Sequence, residues 1–154
     1  MSVEKETLQF KIGVSGTYWD KKPHYTIWVD DQKYIDQTIA GHSNEVEFSE
    51  FSIEITEGPH IFKIRLENKS DRDVEKDGHG TIVNDMLLNI ESIEIDGIDL
   101  GQLKWSLSEF RADHEKIVNG EDMSVLKECV NLGWNGTYEI KFDSPFYLWL
   151  LTEL

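Results

Sequence analysis

Two-residue alternation of apolar and polar side chains governs the first hundred residues, and it narrows the fold more sharply than any other feature of the chain. Successive side chains on an extended strand point to opposite faces, so this rhythm settles as a sheet with one buried side. Leu8, Phe10, Ile12 and Val14 fall on one face of a strand, and Gln9, Lys11 and Gly13 on the other. Tyr25, Ile27 and Val29 alternate with His24, Thr26, Trp28 and Asp30. Phe62, Ile64 and Leu66 alternate with Lys63, Arg65 and Glu67. Half-buried strands of this kind belong to antiparallel sheets with one wet face.

Two runs change phase midway. Val46 and Phe48 give way to Phe51, Ile53 and Ile55; Leu88 and Ile90 give way to Ile93 and Ile95. A one-residue slip keeps such groups on the core side only if the strand bulges or bends, as strands do at the corners of a sandwich. Turn signals fall between the runs at Asp30-Asp31, at 40–44, at Glu57-Gly58-Pro59 and at Asp96-Gly97. The long, charged, glycine-containing stretch from Asn68 to Gly80 reads as an ordered functional loop or a mobile one.

The pattern changes after Gly101. Leu107 to Val118 has weak helical spacing, with Ser106 or Ser108 as a cap. Asp122 to Leu132 predicts a second short helix, with Asp122 as its N-cap and Gly133 as its stop. Trp134 to Phe142 returns to alternation, and Phe146 to Leu154 reads as a last apolar strand or a docked tail. The expected fold is therefore mainly β: an antiparallel jelly-roll β-sandwich with one or two short helices in the C-terminal third. A length of 154 residues predicts a single domain, 1–154. Residues 8–101 form its expected core, and 102–154 an extension packed on it.

Thirty acidic residues against 15 basic ones give a formal charge of −15. Such a surface repels nucleic-acid phosphates and anionic lipid, and either serves solubility or attracts cations such as Ca²⁺ or a basic protein partner. The single cysteine, Cys129, allows no intrachain disulfide and fits folding in a reducing cytosol. The charged start, with Glu4, Lys5 and Glu6, predicts no secretory signal, and the apolar run from Phe146 to Leu151 is too short to span a membrane. None of the five histidines has zinc-hydrolase spacing, and neither a Gly-x-Ser-x-Gly elbow nor a phosphate-binding glycine loop is present. The chain is expected not to be an enzyme.

Asp73, Glu75 and Asp77 alternate before Gly78, an arrangement that turns carboxylate oxygens toward one point. An EF-hand is not expected, because Gly80 and Asn84 stand where its apolar residue and its bidentate Glu belong. The loop is either solvated or a looser Ca²⁺ site. Saccharide rings stack on Trp and Tyr faces, so Tyr18, Trp19, Trp28 and Trp105 are candidates for contact. Trp28 lies on the polar side of its strand. It is therefore covered by the residues after Gly101, stacked on a ligand or partner, or exposed.

Four segments, in this order, resemble the calcium-dependent, xylan-binding type of carbohydrate-binding module, a β jelly-roll. They are Val14 to Asp20 ahead of Pro23, the strand Tyr25 to Asp31, the segment Gly58 to Ile64 followed by Asn68, and Asp85 to Gly97 with its phase slip. The resemblance covers Leu8 to Gly101. It implies Ca²⁺ held by loop carboxylates and backbone carbonyls, with Asp85 the best match and Asp77 and Asp20 in the right loops; with Asp73 and Glu75 of the alternating loop, the possible ligands are Asp73, Glu75, Asp77 and Asp85. In that family the ion also ligates sugar hydroxyls directly, and Tyr18, Trp19, Trp28 and Asp20 are the possible ligand contacts here. The chain departs from the family at Met86-Leu87, where polar residues are usual. Similar domains occur in structural proteins of tailed bacteriophages, including those of cyanobacteria, and the pattern from Trp134 to Tyr138 with Pro145 to Leu151 is similar to such proteins.

The expected function is a non-enzymatic binding or assembly protein: a phage virion or accessory component, made in the host cytoplasm and carried in the virion. Its partners would be other virion proteins or further copies of itself. The alternative is a Ca²⁺-dependent module that adheres to a host polysaccharide.

Overall fold

The structure is a computed structural model and describes residues 4–154. The strands in chain order are β1 (Lys5–Thr17), β2 (His24–Val29), β3 (Gln32–Thr38), β4 (Glu47–Thr56), β5 (Gly58–Leu66), β6 (Glu75–Lys76), β7 (Ile82–Asn84), β8 (Leu87–Ile95) and β9 (Ile98–Asp99). A short helix α1 (Leu103–Ser106) follows. Then come β10 (Glu109–Ala112), β11 (Ile117–Val118), β12 (Glu121–Asp122), β13 (Val125–Lys127), β14 (Asn131–Leu132), β15 (Gly136–Ser144) and helix α2 (Phe146–Glu153).

Two antiparallel sheets face each other as a jelly-roll sandwich. One runs β14-β8-β1-β4, with β9 on β8; the other runs β13-β10-β15-β5-β2-β3. The alternating residues of β1, β2 and β5 all point into the space between them, each no more than 3% exposed. Phe10 lies at the centre. Its ring stacks on Phe51 at 5.0 Å and on Phe62 at 5.6 Å, so one side chain bridges both sheets.

The two phase changes have different outcomes. In β8 the slip is a bulge: Gly13 of β1 faces Ser92 and Val14 faces Ile90, so Glu91 is the extra residue. Leu88, Ile90, Ile93 and Ile95 all remain buried. No bulge forms in β4, whose register with β1 is continuous, and Val46 and Phe48 face outward. Gly13 is the reason. Without a side chain there, the Phe48 ring lies over the backbone, where a Cβ would approach it to 2.9 Å, and the Lys11 ammonium sits 4.8 Å from the ring.

The C-terminal third departs from expectation most. Neither Leu107–Val118 nor Asp122–Leu132 is helical; they hold β10 to β14. Short-range helical spacing lost to long-range pairing: β10 aligns with β15, and β13 with β10. The Ser108 hydroxyl ties the two segments together by accepting the Cys129 N–H at 3.0 Å. Nor is 102–154 an extension laid on a finished core. β15 lies between β10 and β5, inside the larger sheet. Gly136 permits this, since a Cβ there would come within 2.3 Å of the Arg111 carbonyl oxygen.

Phe146–Leu154 is not a strand, because Pro145 lacks the N–H that would continue the ladder after Ser144. Phe146, Trp149 and Leu150, at helical spacing, turn inward. Trp149 then meets the edge of Phe142 at 6.2 Å.

Phe10→Ala is expected to lower the unfolding free energy by about 3–5 kcal/mol in urea denaturation, as for a large aromatic lost from a rigid core. A loss below about 1 kcal/mol contradicts a sandwich centred on this ring.

Candidate functional site

At one end of the sandwich the loops after β1, β5, β10 and β14 meet. The segment from Asn68 to Asp85 is ordered by its own polar groups. Asp73 is buried, its carboxylate only 3% exposed, yet it accepts hydrogen bonds from the Ser70 N–H (2.7 Å) and hydroxyl (3.0 Å) and pairs with the Lys21 ammonium at 3.0 Å. Burial pushes this carboxyl up, but the Ser70 donors and Lys21 together hold it below the usual range. The chain then turns through the β6–β7 hairpin, where the Asp77 carboxylate accepts the N–H groups of His79 and Thr81 at 2.8 and 3.0 Å.

A buried ammonium locks the base of this loop. Lys69 has a side chain only 9% exposed, and its Nζ reaches Asp85 Oδ1 at 2.6 Å and the Gly133 carbonyl at 2.5 Å. Asn135 closes the same junction. Its amide accepts the Lys69 N–H at 2.7 Å and donates to the Lys69 carbonyl at 2.9 Å. The residues before β15 are thereby fixed against the loop after β5.

Between them opens a cleft of about 640 Å³, lined among others by Ser70, Lys76, Ile82, His114, Lys116 and Trp134. That volume suits a small-molecule ligand. Trp134 is half-buried, and the Lys116 ammonium lies 5.7 Å from its ring centroid. The hairpin of β11 and β12 starts directly after Lys116 and carries exposed Ile117 and Val118; Ile82 and Val83 are exposed on β7. Aromatic ring, aliphatic rim and polar tips are thus brought together around one cleft.

The residues picked from the sequence scatter around this cleft. Asp85 lines it. Trp19 is nearby, its indole N–H donating to the Asp73 carbonyl at 3.0 Å and its ring 43% exposed. The Tyr18 hydroxyl is engaged by the Gly41 carbonyl at 2.7 Å, and Asp20 is exposed. Trp28 stands apart on the outer face of the larger sheet. Its indole N–H donates to Thr26 at 2.9 Å, and it borders a separate, shallower groove with Arg65, Arg111 and Glu139. The residues after Gly101 do not cover it, because β10 and β15 lie in the same sheet. Trp105 is exposed on α1.

The four acids assigned to Ca²⁺ do not converge. Asp73 serves Ser70 and Lys21, Glu75 accepts from the Asn84 amide at 3.0 Å, Asp77 caps its own turn, and Asp85 holds Lys69. Among the described residues no group of three or more His, Cys, Asp or Glu is arranged to hold a metal. A carboxylate with a carbonyl oxygen is a donor set that a hard cation would take. At Asp85 and Gly133 the Lys69 ammonium already takes it, so these residues do not fit a divalent ion. Lys116, His114 and Trp134 escaped the sequence reading because their element was read as helix or as plain strand. The available signal was Trp134-Asn135-Gly136, a polar turn ahead of a glycine on which the sheet depends.

A solved structure, "vCBM60 in complex with galactobiose", matches this fold with a TM-score of 0.52. The match covers 86% of this chain and 96% of that one, at 10% identity. At this identity the likeness establishes the sandwich fold. No protein-family model and no curated protein matches the sequence.

The lowered Asp73 carboxyl has a pH consequence. Its folded value lies below the unfolded one, so its stabilisation is present above about pH 4 and lost as pH falls through the folded value. Asp73→Asn is expected to cost about 2 kcal/mol at pH 7. Thermal melts should show the gap from wild type closing on acidification; a gap that widens contradicts the assignment.

Proposed function

We propose that this chain is a saccharide-binding module, and that its site is the cleft between the Asn68–Asp85 loop and the segment from His114 to Asn135. The observation that carries the reading is the half-buried Trp134 at a cleft of disaccharide-compatible size, with Lys116, His114 and Lys76 at its edge. The Nζ atoms of both lysines and the His114 ring make no hydrogen bond or ion pair with the described residues, so they are available to hydroxyl or acid groups of a ligand. A fold shared with a protein solved around galactobiose supports the same reading. Binding here involves no bond making: the cleft offers stacking and hydrogen bonding.

A second reading, assembly into a phage particle, draws support from the far end of β15. There α2 leaves Tyr147, Leu148 and Leu151 exposed, with Leu154 behind them. Under that reading α2 is the surface that meets other virion proteins or a second copy of the chain, in a protein made in the host cytoplasm.

An oligosaccharide array probed with the full chain, followed by calorimetry on the best ligand, tests the first reading. Trp134→Ala should weaken binding at least about tenfold, equivalent to losing about 1.4 kcal/mol of stacking, while Trp28→Ala leaves it unchanged. Unchanged binding by the Trp134 variant, or its loss on removing Trp28, places the site elsewhere.

A further inference from the structure

The charge around this cleft runs against the rest of the molecule. Acids outnumber bases two to one in the chain, 30 to 15. Yet the cleft is lined by three lysines, Lys69, Lys76 and Lys116, against Asp71 and Asp85. Lys69 and Asp85 neutralise each other inside its wall at 2.6 Å. Of the remaining groups, Lys76 and Lys116 face the cleft against Asp71 alone. Of the acids nearby, Asp113 pairs with Arg65 at 2.9 Å and Asp73 with Lys21 at 3.0 Å, while Glu75, Asp77 and Glu115 flank Lys76 and Lys116 in sequence but do not line the cleft. The charged side chains lining the cleft are thus weighted toward cations, in a chain weighted toward acids. The surrounding negative field would exclude an anion from most of the surface but not from here.

We propose that the cleft takes an anionic saccharide, one that carries a carboxylate or sulfate, and that lysine ammonium groups fill the role a divalent cation would otherwise fill. This rests on the saccharide-binding reading and names the ligand class. Lys116 is the principal contact: its ammonium lies 5.7 Å from the Trp134 ring centroid, and a sugar that displaced it from the ring would leave it beside the sugar's acid group. Lys76, on the opposite hairpin, is the second. The Lys69 ammonium takes no part in the ligand contact. It occupies the carboxylate–carbonyl donor pair, and a Ca²⁺ brought to the same two oxygens would face a fixed positive charge.

Calorimetry on the full chain with three probes tests this: a galacturonate disaccharide, a sulfated galactan oligosaccharide and neutral galactobiose. At least one anionic probe should bind at least about tenfold more tightly than galactobiose. Lys116→Gln should weaken that binding about tenfold, about 1.4 kcal/mol, and the exposed-site change Lys76→Gln about threefold, about 0.65 kcal/mol. Binding should weaken with added NaCl and survive excess EDTA. Which anionic probe binds separates carboxylate from sulfate recognition. Galactobiose binding equal to or tighter than both anionic probes overturns the proposal while leaving the saccharide reading intact. Binding that EDTA abolishes overturns the metal-free clause. Failure of every probe, together with an empty array, removes the saccharide reading and the proposal with it. Native-like melting of Lys76→Gln keeps the test valid should Lys116→Gln fold poorly.

Discussion

One buried ammonium holds the cleft end of this protein together. Lys69 projects from the loop after β5 and reaches Asp85 ahead of β8 and Gly133 ahead of β15, so three segments distant in sequence meet on its Nζ. A charge this far out of water persists only when paired and hydrogen-bonded, and removing one partner of such a pair typically costs about 3–5 kcal/mol. Asn135 adds a second clasp through both atoms of its amide. With the loop after β5 and the turn before β15 locked together, the space beside them becomes a cleft with defined walls.

The rest of the sandwich delivers these segments to one place. β15 runs between β10 and β5, and Gly136 at its start allows it to pass close to Arg111. At its other end Pro145 stops the ladder, and α2 closes the core with Phe146, Trp149 and Leu150. Core and cleft are therefore one construction, because the turn that carries Trp134 leads directly into β15, a strand inside the larger sheet.

The sandwich was legible where strands are long. Thirteen residues of β1 and nine of β8 carry enough alternation to fix which face is buried, and even the Glu91 bulge shows as a phase slip. Asp96-Gly97 was legible as a turn because both residues adopt left-handed backbone, φ 52° and 78°, the signature of a tight hairpin. In the C-terminal third the strands β10 to β14 have two to four residues, too short for any period to outweigh chance helical spacing. Phe48 misled for another reason. Its outward ring answers a missing side chain at Gly13 on a neighbouring strand, which no reading along one strand reveals. The site was half legible: Asp85 was marked, but its partner Lys69 is 16 residues away and of opposite charge. A search for clustered carboxylates looks past a lysine paired with one of them.

The central claim is that the cation of this site is a side chain. Amide chemical shifts of the isotopically labelled full chain, followed while CaCl₂ is added to several millimolar, test it most directly. The account predicts that the amides of Lys69, Met86 and Asn135 stay in place or drift only as a general salt effect moves the whole spectrum. A saturable shift confined to those amides would mean that a metal displaces the ammonium from Asp85 and Gly133, and would contradict it.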